Sequence, residues 1–147
     1  MFTDAALAAW MIEKLGSAAR AERFDVHAFC VMPDHFHALV AGSESSSDLL
    51  AFAKNLKQIT AREYARRFGR TLWQKRFYDH ILRPNDNALA IAGYIWRNPV
   101  RKGLCKDMRD YPHSGSFVVD WTKAVSPMEE WVPAWRKITP HASRAAC

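Results

Sequence analysis

His35 and His37 are the residues of this chain best suited to chemistry, and they flank Phe36 in the stretch Cys30-Val31-Met32-Pro33-Asp34-His35-Phe36-His37-Ala38-Leu39-Val40. The rest of that stretch is mostly apolar and reads as buried strand. Alternate residues of a strand project to one side, so both imidazoles point together, roughly 7 Å apart at Cα, while Phe36 turns the other way into a core. At that spacing two imidazoles can reach one metal ion or one phosphate. The same pair also fits a plainer role, as satisfied polar positions near a strand end. By ligand softness alone, two imidazoles suggest zinc first.

A second chemical signal is charge. Between Lys54 and Lys102 stand twelve basic residues: Lys54, Lys57, Arg62, Arg66, Arg67, Arg70, Lys75, Arg76, Arg83, Arg97, Arg101 and Lys102. Only Glu63, Asp79 and Asp86 oppose them, so this third of the chain carries +9 and the remainder is slightly acidic. A solvated helix face would account for part of the run. Trp73, Phe77, Tyr78 and Trp96 are interleaved with the charges, however, and flat rings beside guanidinium groups suit a nucleic-acid backbone with bases to stack.

These residues need elements to hold them. Thr3-Asp4 can cap a helix over residues 5–20, with Leu7, Trp10, Met11, Ile12 and Leu15 as its apolar stripe. Arg23 to Met32 reads as a strand, Pro33-Asp34 as a turn, and His35 to Ala41 as the second arm of an antiparallel hairpin. Ser47 can cap a long helix from Asp48 to Phe68, whose stripe is Leu49, Phe52, Leu56 and Ile59, extended by Tyr64 and Phe68. Gly69 ends it. Arg76 to Arg83 reads as a third strand. A helix over residues 87–97 carries Tyr94, Asn98-Pro99 interrupts or restarts it, and Gly103 closes it. Trp121, Trp131 and Trp135 would pack a tail onto the domain.

Composition bounds the rest. At 147 residues and 49% hydrophobic, the chain fits one domain with a real core and excludes disorder over most of its length. Its first twenty residues hold Asp4 and Glu13 early and no long apolar run, which predicts neither a signal peptide nor a membrane span. Three scattered cysteines, Cys30, Cys105 and Cys147, predict a reduced cytoplasmic protein with no disulfide framework and no thiolate zinc site.

Taken in order, MPDHFHALV, WQKRFYDHI, GYIWRNPVRKGL and DYPHS resemble the consecutive signatures of the single-tyrosine HUH transposases, above all the REP-associated tyrosine transposase branch. The resemblance runs from Phe2 to Ser116. It implies an α+β fold, a ferredoxin-like antiparallel sheet packed by helices, with residues 1–116 as the catalytic domain and 117–147 as a tail. Family members place an additional strand before the first helix. This chain starts essentially at that helix, so the sheet is expected to lack that strand and to leave backbone groups unpaired beside the histidines.

The resemblance also implies a chemistry. His35 and His37 match the histidines that hold a divalent ion, Mg²⁺ or Mn²⁺ in the family rather than Zn²⁺. Tyr94 matches the nucleophile, which attacks phosphorus in single-stranded DNA to leave a 5′-phosphotyrosine and a free 3′-hydroxyl. A phenol of ordinary pKa about 10 needs help to attack, and a nearby cation with Arg or Lys side chains can give it. Asn98, one helical turn beyond Tyr94, matches a third metal ligand; its place before Pro99 also fits a cap. Arg62, Arg66, Arg70, Lys75, Arg76, Arg83, Arg97, Arg101 and Lys102 are the expected DNA contacts. The partner would be hairpin-forming single-stranded DNA in the bacterial cytoplasm, bound by a monomer or a homodimer. Two other readings remain: a truncated or domesticated hairpin-binding protein without catalysis, and a small zinc hydrolase on His35 and His37.

Overall fold

In a computed structural model, residues 2–73, 86–123 and Val132 are described. Helix α1 spans Ala5–Glu22, with the Asp4 carboxylate accepting from the Ala6 amide at 2.8 Å. Strands β1 (Phe24–Val31) and β2 (Phe36–Gly42) follow as an antiparallel hairpin. Helix α2 runs Leu49–Phe68 and α3 runs Ala88–Arg101. A two-residue strand, β3 (Ser114–Gly115), pairs antiparallel with β1, so the sheet order is β2-β1-β3. The fold is α+β, as expected. The expected strand over 76–83 lies outside the described residues.

The sheet has a layer on each face. Val26, Phe29 and Val31 of β1 join Leu7, Met11 and Leu15 of α1 and Phe52, Leu56 and Tyr64 of α2 in one core. Ala28, Cys30 and Met32 face the other way, onto Ile91, Tyr94, Ile95 and Trp96 of α3. Plain alternation could not put Val26 and Phe29 on one face. A β-bulge lets it happen: Val26 pairs with Val40 and Ala28 with Leu39, which leaves His27 as the extra residue. In β2, Phe36, Ala38 and Val40 pack toward the α1–α2 core and Leu39 toward α3. Phe36 therefore points away from its neighbouring histidines, as its place in the strand predicts.

Several local expectations are corrected. Asp48, not Ser47, caps α2, its carboxylate taking the amides of Leu50 and Ala51. The buried stripe of α2 is Phe52, Leu56, Thr60 and Tyr64, while Ile59 is exposed. Thr60 can be buried because its hydroxyl donates to the Leu56 carbonyl at 2.6 Å and accepts from Trp73 Nε1 at 2.8 Å. Gly69 ends α2 in the left-handed region, φ 64°, as expected.

Asn98-Pro99 does not interrupt α3, which continues to Arg101. Pro99 has no N–H for the Ile95 carbonyl. Asn98 Nδ2 covers that end of the helix, donating to the Tyr94 carbonyl at 2.9 Å and the Ile95 carbonyl at 3.5 Å. In β3, a Cβ at Gly115 would sit 2.7 Å from the Phe29 ring, so any larger residue there would force that ring to shift. The next described residues stay on the domain: the Phe117 amide donates to the Val26 carbonyl at 2.9 Å, and the Trp121 ring lies 5.7 Å from that of Trp96, while Trp131 and Trp135 lie outside the described residues.

Candidate active site

His37 of β2, and His35 just before that strand, lie on the α3 side of the sheet, and α3 presents Tyr94, Asn98 and Arg101 along one face. Positions i, i+4 and i+7 of a helix stack above one another, which is why those three fall in line. The His35 and His37 rings meet edge to face with centroids 4.7 Å apart. The Tyr94 ring stands nearly perpendicular to His37, centroid to centroid 6.1 Å. Arg101 lays its guanidinium over the Tyr94 ring at 4.5 Å. Tyr94 is 4% exposed and Asn98 2%.

The polar contacts fix which atoms face outward. His35 Nδ1 is bonded to the Asp34 carboxylate at 2.5 Å, which leaves Nε2 as the nitrogen open to another partner. That bond is the main reason the Asp34 carboxyl is held below its ordinary value, and the Lys102 charge adds to it. Both Asn98 contacts are made by Nδ2, so its lone pairs reside on Oδ1. Cys30, opposite His37 in register, is no thiolate: burial pushes its thiol up to about 11. The chemistry of the expected donors, two imidazole nitrogens and one amide oxygen, fits a divalent cation; the structure brings the two imidazoles together, whereas both Asn98 contacts are to its own helix. Among the described residues, no three His, Cys, Asp or Glu side chains gather as a metal group.

The expected DNA contacts fall in two places. Arg97, Arg101 and Lys102 belong to the last turns of α3, beside the site; Arg97 Nε bonds the Gly93 carbonyl at 3.2 Å. Arg62, Arg66 and Arg70 are on α2 and just beyond its end, in the layer across the sheet. Lys75, Arg76 and Arg83 lie outside the described residues, as do Tyr78 and His80. Tyr64 is buried in the α1–α2 core, and the Tyr111 hydroxyl donates to the Val31 carbonyl at 2.9 Å, so both have structural work. Asp34 was expected only to make the turn. Its bond to His35 adds a role that an adjacent Asp-His pair at a hairpin turn could have signalled.

Comparison with known proteins gives the family. The model described as "Transposase IS200 like" matches residues 1–98. The chain belongs to the IS200-like transposase family. A REP-associated tyrosine transposase of Escherichia coli K12 is 27% identical over 112 residues, covering 70% of this chain and 66% of that protein. A Haemophilus influenzae protein provisionally given the same name is 29% identical over 119 residues, covering 74% of this chain and 66% of its own length. The chain thus spans just under two thirds of these curated relatives. A solved REP-associated tyrosine transposase bound to a REP hairpin has a TM-score of 0.66 at 24% identity, over 88% of this chain and 75% of that one; this likeness speaks for the fold. The family and these relatives accord with the resemblance read from the four motifs. Among the described residues no helix is long and apolar enough to cross a membrane.

Proposed function

We propose that this family member cleaves and rejoins single-stranded DNA, with Tyr94 as nucleophile and with His35, His37 and Asn98 as ligands of one divalent cation, Mg²⁺ or Mn²⁺. The observation that carries the reading is the ring contact between His37 and Tyr94, which sit on different elements far apart in sequence yet meet at 6.1 Å. Residues 1–116 would be the catalytic unit and 117–147 the trailing segment. One solved relative is described as bound to a REP hairpin, and the reading extends that ligand class, hairpin-forming single-stranded DNA, to this chain.

The phenolic oxygen of Tyr94 attacks phosphorus, forming the Tyr94 O–P bond as the P–O3′ bond breaks. The 5′ side stays on the protein as a phosphotyrosine, and the departing 3′ oxygen takes up a proton, the phenol having given one away. Because one phosphoester replaces another, reversal joins a strand without a nucleotide cofactor. A divalent cation held by His35, His37 and Asn98 would, when bound, supply positive charge that stabilises the negative charge developing on the phosphate. Asp34 holds the His35 ring by Nδ1, Pro99 and Asn98 hold the helix end that follows Tyr94, and Arg97 and Lys102 place positive charge for the backbone.

The burial of Tyr94 favours a second reading, a hairpin-binding protein without catalysis, because a substrate must reach its hydroxyl. One experiment separates the two. Incubation of the full chain with a labelled single-stranded hairpin and Mn²⁺ should yield a covalent adduct that Tyr94→Phe abolishes. Equal adduct from wild type and Tyr94→Phe sinks the nucleophile assignment, and salt-sensitive binding with no adduct under any metal supports the second reading.

A further inference from the structure

We propose that Arg101 is a positioning residue for Tyr94, holding the aromatic ring in its attacking orientation by stacking a guanidinium on its face. The inference rests on the reading in which Tyr94 attacks phosphorus. It assigns Arg101 a different task from the DNA contact expected of it. Arg101 lies seven residues beyond Tyr94, two turns along the same side of α3. Its guanidinium carbon is 4.5 Å from the ring centroid, well inside the range of a cation–π contact.

A tyrosine ring has two torsions that carry its hydroxyl away from a target. His37 meets the ring at an interplanar angle of 80°, and Arg101 covers its face. Contacts from two directions leave neither torsion loose. In-line attack needs the oxygen within a few tenths of an ångström of its productive place, so a slack ring lowers the rate with no loss of DNA affinity. Arginine suits the task better than lysine, because its flat, weakly hydrated cation can lie parallel to an aromatic plane while keeping its edge N–H groups in water. A blander account is that Arg101 merely places a positive charge at the C-terminus of α3, where the helix dipole favours one. That account asks for stability alone.

Single-turnover adduct formation on the full chain, measured against hairpin DNA concentration with Mn²⁺, tests the proposal. Arg101→Gln should lower the maximal rate by about tenfold, the scale of one cation–π contact at a partly buried site, with half-saturation unchanged. Arg101→Lys should recover part of that loss, and free guanidinium should restore part of the rate of Arg101→Ala. A rise in half-saturation alone would make Arg101 a backbone contact and overturn the proposal. So would an unchanged rate, or a loss that tracks melting temperature and does not respond to guanidinium. A second measurement is independent of chemistry: nuclear Overhauser contacts between the Arg101 δ-protons and the Tyr94 ring protons in the wild type. Their absence overturns the stacking. If the wild type forms no adduct while those contacts are present, the transesterification reading fails and the stacking survives as a structural contact only, which overturns the positioning role.

Discussion

At the scale of single residues, Asp34 decides how His35 can act. A neutral imidazole with Nδ1 tied to a carboxylate must present Nε2, and the carboxylate also makes that nitrogen a better donor. Asp34→Asn should therefore weaken Mn²⁺ binding by about 10- to 100-fold while leaving the fold intact, as read by calorimetric titration of the metal. Affinity equal to wild type would mean that His35 is oriented by the strand alone. The histidine pair was legible in the sequence because strand alternation is strict, and the structure brings the two rings together at 4.7 Å. Asp34 was not, since Pro-Asp is so common a turn signal that a second duty is masked. Nor would spacing have singled out Tyr94, a buried aromatic on an apolar helix; only the ordered motifs set it apart. Arg101 was read by its charge, and its shape proves the more telling property.

Among the elements, α1 and α2 are joined by more than apolar contact. Glu63 of α2 accepts from Lys14 Nζ at 2.8 Å and from Trp10 Nε1 at 3.0 Å, both on α1. The Lys14 bond first, then the Trp10 bond, holds the Glu63 carboxyl below its ordinary value. A carboxyl depressed in the folded state favours folding at pH values above its unfolded pKa, and that contribution is lost as pH falls through the folded one. Wild-type protein should thus lose its stability advantage over Glu63→Gln on acidification below about pH 4.5, with a difference near neutrality of about 0.5–1 kcal/mol, the size of a partly exposed pair. Denaturant melts of both proteins across that range check this, and parallel pH curves would contradict it. The three helices and the β1–β2 hairpin were legible from apolar spacing and from Gly69, whereas the two-residue β3 was missed and two further details were hidden. Thr60 looked polar and so was left off the stripe, although a hydroxyl that returns its hydrogen bond to its own helix can be buried. Asn98-Pro99 looked like a break because the rule against proline concerns the missing N–H, and here a side-chain amide stands in for it.

Across the whole molecule, the sheet separates two groups of residues. The candidate site lies on the α3 face, whereas Arg62, Arg66 and Arg70 belong to the α1–α2 layer. A hairpin engaging both must wrap an edge of the sheet. If it does, replacing those three arginines with alanine should reduce the slope of log affinity against log salt by about 2, at roughly 0.7 for each single-strand phosphate that is no longer neutralised. Filter binding or anisotropy over a salt series measures it, and an unchanged slope would confine the DNA to the α3 side. This division was not legible from charge counts, because it depends on which face of β1 each helix covers. Within β1, His27 is the residue for which β2 has no counterpart. β1 is one residue longer than its pairing requires, and His27 is the spare. Deleting it would straighten the strand, yet Phe24 and Val26 would stay in one layer and Ala28 and Cys30 in the other, so of all the residues in this central strand it is the one the architecture can omit.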